Sequence, residues 1–302
     1  MFISLQYLRA IAAIAVVFFH TFGYFGNQGV AIFFVISGFI MFYVIDKKHY
    51  TAKDFLKARI IRVIPLYWIL TTITLLLGIG YDPTIKRIVL SYLFLSLGTI
   101  LPVGWTLTYE FIFYITCGIV MFFINKIYFR YYIIISLLVV GDVILNFILH
   151  KYGFDYGHYF LLFIGGGILY ILYKNNILLN FNKYILYIIF TFFFYLTFSD
   201  SRILLPFVNY SINIGIPAIF VVWTIFSIEQ KYGIFKNKLL LFYGDASYSL
   251  YLIHYLTIHI LKEFNPEINN LCLFLFSLLS GAIIYLYLEK PLLNYLKKVK
   301  NV

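Results

Sequence analysis

The chain has 302 residues, of which 63% are hydrophobic and 12% charged, with a mean hydropathy of +0.93. Soluble domains carry about 25% charged and 45–50% apolar residues, so this composition excludes a water-soluble enzyme or a nucleic-acid binder. The net charge of +11 fits cytoplasmic loops facing anionic lipid, and the two cysteines, Cys117 and Cys272, both lie in apolar runs, where neither a disulfide framework nor a metal cluster is expected.

Breaks in the apolar pattern predict ten spans, at roughly 7–24, 28–45, 62–80, 105–124, 131–149, 158–173, 184–198, 207–227, 246–262 and 270–289. The first is read as a retained span rather than a cleaved leader, because Arg9 is the only basic residue ahead of the apolar run that starts at Ala10 and a second apolar run follows at once. The stretch from Ile88 to Leu101 is apolar but short, and Pro102 closes it. If it does not cross, and the N-terminus is inside, only Lys86, Arg87, Lys151, Arg202 and Lys262 of the 23 basic residues fall on the outer side. It is therefore read as a re-entrant or interfacial piece, which a bilayer tolerates where protein or water covers the backbone. The expected fold is an all-α polytopic membrane protein with about ten transmembrane helices, both termini cytoplasmic, and one integral-membrane domain over residues 1–302.

Ionisable groups inside a span are rare and costly, so each is a functional candidate. In the first span, Arg9 and His20 lie close to three helical turns apart, which puts them on one face about 16 Å apart along the axis. Ala10, Ala12, Ala13 and Ala15 between them allow neighbouring helices to approach closely. An interfacial anchor and a packing histidine are the structural alternative for this pair. In the second span, Ser37-Gly38 reads first as small-residue packing, with Ser37 also a channel candidate. Arg59 and Arg62, three apart, share a face if the third helix begins early, and make a cytosolic phosphate site or simply a basic loop. The fourth span opens with Trp105 and Tyr109, suited to an interfacial belt or an acceptor site, and then places Glu110 at a depth similar to that of His20. A carboxylate facing the imidazole would fix its tautomer. The ninth span opens with Asp245 and Ser247, helix-cap residues that are also channel or acceptor-side candidates, and carries His254 near mid-membrane, where it could line a polar channel. His49, His150 and His158 fall in or beside loops, and no spacing resembles a metal site.

Five motifs follow one another along the chain. They are Arg9-x10-His20, Gly29-Val30-x-x-Phe33-Phe34-Val35-Ile36-Ser37-Gly38-Phe39, Arg59-x-x-Arg62-x-x-Pro65-x-Tyr67-Trp68, Trp105-Thr106-Leu107-x-x-Glu110, and Asp245-Ala246-Ser247-Tyr248-Ser249-Leu250-Tyr251-Leu252-x-His254. In this order they resemble the integral-membrane acyltransferase family three over essentially the whole chain, and within it the exopolysaccharide O-acetyltransferases of the succinoglycan type. The resemblance implies a protein of the bacterial cytoplasmic (inner) membrane that transfers an acetyl or other short acyl group from acyl-CoA, as co-substrate, to a hydroxyl of an envelope or exported polysaccharide or a lipid-linked oligosaccharide. It also implies that Arg9, His20, Arg59, Arg62 and Glu110 are the functional residues. Some family members add an extracytoplasmic hydrolase-like domain. This chain, ending at Val302, is expected to lack it and to need polysaccharide-synthesis partner proteins.

The expected mechanism has Arg59 and Arg62 holding the phosphates of cytosolic acyl-CoA, with Arg9 guiding the chain. His20 then acts as general base under Glu110, or as the carrier of an acyl-histidine intermediate. No metal is called for. A transporter or flippase for lipid-linked oligosaccharide is the rival class, although no inverted hydropathy repeat supports it. A structural subunit of a polysaccharide synthase is a third.

Overall fold

A computed structural model describes residues 2–47, 50–79, 82–151, 157–199 and 210–298. Lys48, His49, Arg202, Lys300, the side chains of His150 and Lys151, and the first three positions of the predicted eighth span lie outside this description. Among the described residues every regular element is helical. In chain order these are α1 (Ile3–Phe22), α2 (Gly29–Lys47), α3 (Ala52–Leu76), α4 (Ile85–Tyr92), α5 (Trp105–Phe123), α6 (Ile127–Lys151), α7 (Phe160–Lys174), α8 (Lys183–Phe198), α9 (Tyr210–Tyr232), α10 (Lys238–Asp245), α11 (Ser247–Phe264), α12 (Asn270–Ile284) and α13 (Lys290–Lys298). A 3₁₀ turn, Pro102–Gly104, leads into α5, and a π-helical turn, Tyr285–Glu289, joins α12 to α13.

Each of the ten predicted spans has a helix, but among the described residues only seven helical stretches are long and apolar enough to cross a membrane: α1, α2, α3, α5, α6, α9 and the continuous stretch Asn270–Lys298. Helices α7 and α8 have 15 and 16 residues, short of the roughly 20 a perpendicular crossing needs. Helix α11 reaches 18 residues but spends them on serines, two histidines, Lys262 and Glu263, because one of its faces serves the site described below. The apolar stretch before Pro102 yields α4, eight residues and so about 12 Å long, too short to cross. It returns along α3 instead. The Tyr67 hydroxyl lies 2.9 Å from Ser91 Oγ, and Trp68 Nε1 donates to the Tyr92 carbonyl at 3.0 Å. Gly104 lies so close to the Tyr67 ring that a Cβ there would sit 2.7 Å from it. The start of α5 is thereby held level with the second half of α3, not with its end.

Helix α2 is the centre of the bundle, its Phe34, Phe39 and Phe42 buried. It meets α7 backbone to backbone. A Cβ on Gly166 would lie 1.9 Å from the Val35 carbonyl oxygen, and one on Gly38 2.1 Å from that of Phe163. With no hydrophobic drive between helices in lipid, such close approach is a main source of their attraction. It also settles Ser37-Gly38, where glycine packs and serine is left to turn elsewhere. The small face of α1 works in the same way, with Ala10, Ala12 and Ala13 fully buried and Gly29 against the Ala12 carbonyl. At its start, α1 is capped by another helix. Glu229 of α9 accepts the Ile3 and Ser4 amides at 2.8 and 2.9 Å, a carboxylate placed where the helix dipole is positive.

Candidate active site

Helices α1 and α11 lie side by side and run the same way. At the start of α1 the last residues of α10, which lead into α11, hold it in place: Gln6 Nε2 donates to Asp245 Oδ1, and Gly244 packs against the Gln6 carbonyl. Toward their other ends, the His20 and His254 rings stand 5.0 Å apart. Residues 247, 248, 251, 254 and 255 follow the 3–4 spacing of one helical face, so Ser247, Tyr248, Tyr251 and His254 line up beside the Arg9–His20 face of α1.

Between these helices and α2, α3 and α5 is a cavity of about 170 Å³, walled by Arg9, Ser37, Arg59, Arg62, Thr106, Glu110, Tyr114, Ser247, Tyr248 and Tyr251. Its three guanidinium groups are held differently. Arg62 lies 3.3 Å from Glu289, a carboxylate only 1% exposed whose other oxygen accepts from Ser249 Oγ. Arg9 donates to Gln6 Oε1 at 3.2 Å, and through that amide is tied to Asp245. Arg59 has no ion pair, and its buried Nε has no hydrogen-bond partner among the described residues. Glu110 answers the cations from the opposite wall. It accepts from Tyr114 Oη and, at 3.2 Å, from Ser37 Oγ, and lies within electrostatic reach of Arg9. Ser247 Oγ is buried with no partner among the described residues. Three cations against one wall carboxylate, with unspent donors on Arg59, suit a multiply charged anion.

The expected pairing of His20 with Glu110 does not form. Glu110 belongs with the arginines, whereas His20, exposed, faces His254 and Tyr255, the latter ring 6.4 Å away. Two causes produce this. Helix α1 packs against α2, α9, α10, α11 and α12, while α5 packs against α2, α3, α6 and α7. In addition, α5 begins part-way down α3, so counting residues from a common outer boundary misplaces Glu110 in depth. His254 takes the place beside His20. It is fully buried, its Nδ1 lies 3.2 Å from the Leu250 carbonyl, and its Nε2 has no partner among the described residues. Tyr251 lines the cavity and its ring lies 6.0 Å from that of His254, so it stands between the two ends.

Tyr109, only 1% exposed, is packed among Trp105, Tyr159 and Phe160 rather than standing in an interfacial belt, and Trp105 is half-buried on the same cluster. Asp245 acts through Gln6 and does not line the cavity. His158 is more than a loop residue, being paired with Asp142, a carboxylate 2% exposed inside α6 that also accepts the Phe160 amide at the start of α7. Sequence reasoning passed over Asp142, Tyr114, Gln6 and Glu289. The signal for Glu289 was present, a lone acid closing the last apolar run, and a π-helical turn delivers it. Among the described residues, no three His, Cys, Asp or Glu side chains group as metal ligands.

A family profile described as an acyltransferase domain matches residues 2–290. The Exopolysaccharide production protein ExoZ of Rhizobium meliloti (strain 1021) is 37% identical over 102 residues, which cover 30% of this chain and 32% of that protein. The match therefore spans about a third of that relative's length. No solved structure matches.

Proposed function

The chain belongs to this membrane acyltransferase family, and from that premise we propose that it is an O-acyltransferase of the bacterial cytoplasmic membrane. It moves an acetyl or other short acyl group from cytosolic acyl-CoA to a hydroxyl of an exported or envelope polysaccharide. The observation that carries this reading is the cavity in which Arg59 of α3 keeps unspent donors beside Arg62 of the same helix and Arg9 of α1, the helix whose far end holds His20. A polyanionic head fits the first, and the second is a candidate general base about 16 Å along the axis. The polysaccharide acceptor is suggested by the name of the partial relative, an exopolysaccharide production protein. The topology proposed with it has ten crossings, α7, α8 and α11 among them, and both termini in the cytoplasm.

In the proposed reaction Arg59, helped by Arg62 and Arg9, holds the donor's phosphates on the cytosolic side. The pantetheine arm follows α1 and brings the thioester to His20. A His20 nitrogen takes the proton of the sugar hydroxyl as that oxygen attacks the thioester carbonyl. The tetrahedral intermediate then collapses with cleavage of the C–S bond, and the imidazolium returns the proton to the departing thiolate. Glu110, held by Tyr114 and Ser37, fixes the guanidinium groups and takes no part at His20.

The test is a deletion strain complemented with the unsubstituted gene or with His20→Ala. Loss of O-acetyl signals in the proton NMR of the polysaccharide at unchanged polymer yield, restored by the unsubstituted gene only, supports the enzyme. Loss of exported polymer points to a transporter, and full O-acetylation with an inserted His20→Ala protein refutes the role of His20.

A further inference from the structure

With Glu110 held among the arginines, His20 needs another group to orient its ring, and His254, buried beside it, takes no part in binding the donor. We propose that His254 is a positioning residue for His20, accepting a hydrogen bond from it and fixing which of its nitrogens is free to act as base. This inference rests on the acyltransferase reading.

The chemistry of His254 determines its own tautomer. Its Nδ1 lies 3.2 Å from the Leu250 carbonyl, and a carbonyl oxygen only accepts, so Nδ1 carries the proton and Nε2 carries the lone pair. That Nε2 is fully buried and has no partner among the described residues. A buried acceptor left unmet forfeits its hydration with nothing in return, so its retention calls for a reason. The ring facing it is His20, 5.0 Å between centroids and tilted by 46°, near enough for a small rotation of the exposed His20 side chain to bring an N–H onto Nε2. With one nitrogen donating inward, the other is left as a lone pair toward the open side, where the acceptor hydroxyl and the thioester must meet. His254 thus does for His20 what a carboxylate does in other base–orienter pairs, but without adding a charge to the bilayer interior, which is the costlier choice there. The two rings are held in register by the packing of α1 against α11 and by the end of α10, bonded to α1 through Gln6 and Asp245 just before α11 begins, so the pair is set by rigid helices rather than by a loop.

The test compares three substitutions in full-length protein reconstituted in nanodiscs, with acetyl-CoA as donor and the under-acetylated polysaccharide of the deletion strain as acceptor. His254→Gln carries an amide oxygen to about the place of Nε2, His254→Asn carries one only to about the place of Nδ1, and His254→Leu carries none. The expected result is a kcat within about tenfold of the unsubstituted enzyme for Gln, and a loss on the order of a hundredfold for both Asn and Leu. KM for acetyl-CoA should be unchanged in all three, since the arginine cavity is untouched. Equal kcat for Gln and Asn, or full activity of Leu, overturns the inference. So does a loss carried by a raised donor KM. If His254→Leu fails to fold, the Gln and Asn comparison still decides. Full activity of His20→Ala would remove the acyltransferase reading of His20 itself, whereas an inactive His20→Ala beside a fully active His254→Leu removes only the role given to His254.

Discussion

Replacing Arg62 by alanine removes the cation that faces Glu289, a side chain only 1% exposed that then keeps a single donor, Ser249 Oγ. Removing one partner of a buried pair costs about 3–5 kcal/mol, because the other charge is left uncompensated. Arg62 is itself 34% exposed, so screening brings the expected loss to about 2 kcal/mol. Arg59 differs. Among the described residues it has no ion pair to break, so Arg59→Ala changes stability by less than about 1 kcal/mol but takes away the charge-assisted hydrogen bonds proposed to hold the donor, worth about 1.5–3 kcal/mol. At 1.4 kcal/mol per tenfold this raises the acyl-CoA KM about ten- to a hundredfold. Denaturation midpoints in detergent, with donor KM measured on the folded fraction, separate the two. Arg62→Ala should be the destabilised variant, with Glu289→Gln restoring most of its stability in the double substitution, and Arg59→Ala should be the stable one with the raised KM. Equal stability of the two single variants, or no rescue by Glu289→Gln, would refute the assignment of Arg62 to the internal pair.

Gly166→Ala should lower the folded yield and the denaturation midpoint sharply, since its Cβ would meet the Val35 carbonyl oxygen at 1.9 Å and must push α7 off α2. Size-exclusion profiles and heat-inactivation half-lives measure it. His158→Ala should cost about 1–3 kcal/mol by leaving the buried Asp142 carboxylate with fewer partners. KM and kcat should be unchanged, because the Asp142–His158 pair lies outside the arginine cavity. Steady-state kinetics on the folded fraction is the check.

Features carried by a single helix were legible in the sequence. The shared face of Arg9 and His20 follows from helical spacing alone, as does the pairing of Arg59 with Arg62 on the cavity side of α3. That 88–101 yields no helix of spanning length could be read from its shortness and from Pro102. Relations between helices were not legible. Glu110 and His20 match in depth only if α5 starts at the outer boundary, and the contacts of Ser91 and Tyr92 with Tyr67 and Trp68 place that start lower. Which helix neighbours α1 is settled by glycine and alanine contacts over the whole bundle, so the partner of His20 comes from α11, more than two hundred residues away. His254 was visible as an ionisable group in an apolar run, but its open Nε2 depends on the Leu250 carbonyl and on burial by α1. Asp142 and Glu289 carried the same warning as Glu110, an acid in an apolar stretch, and the span boundaries drawn through the sequence did not weigh it.

In the proposed placement Arg59 and Arg62 of α3, with Arg9 of α1, hold the donor's phosphates, and His20 at the far end of α1 meets its thioester. A cryo-electron microscopy map of the reconstituted protein with acetyl-CoA measures where the donor lies. Phosphate density within hydrogen-bond reach of the Arg59 guanidinium, with the thioester carbon beside the His20 ring, is the expected result. Phosphate density at the His20 end, or a donor bound outside the cavity of Arg9, Arg59 and Arg62, would rule this placement out.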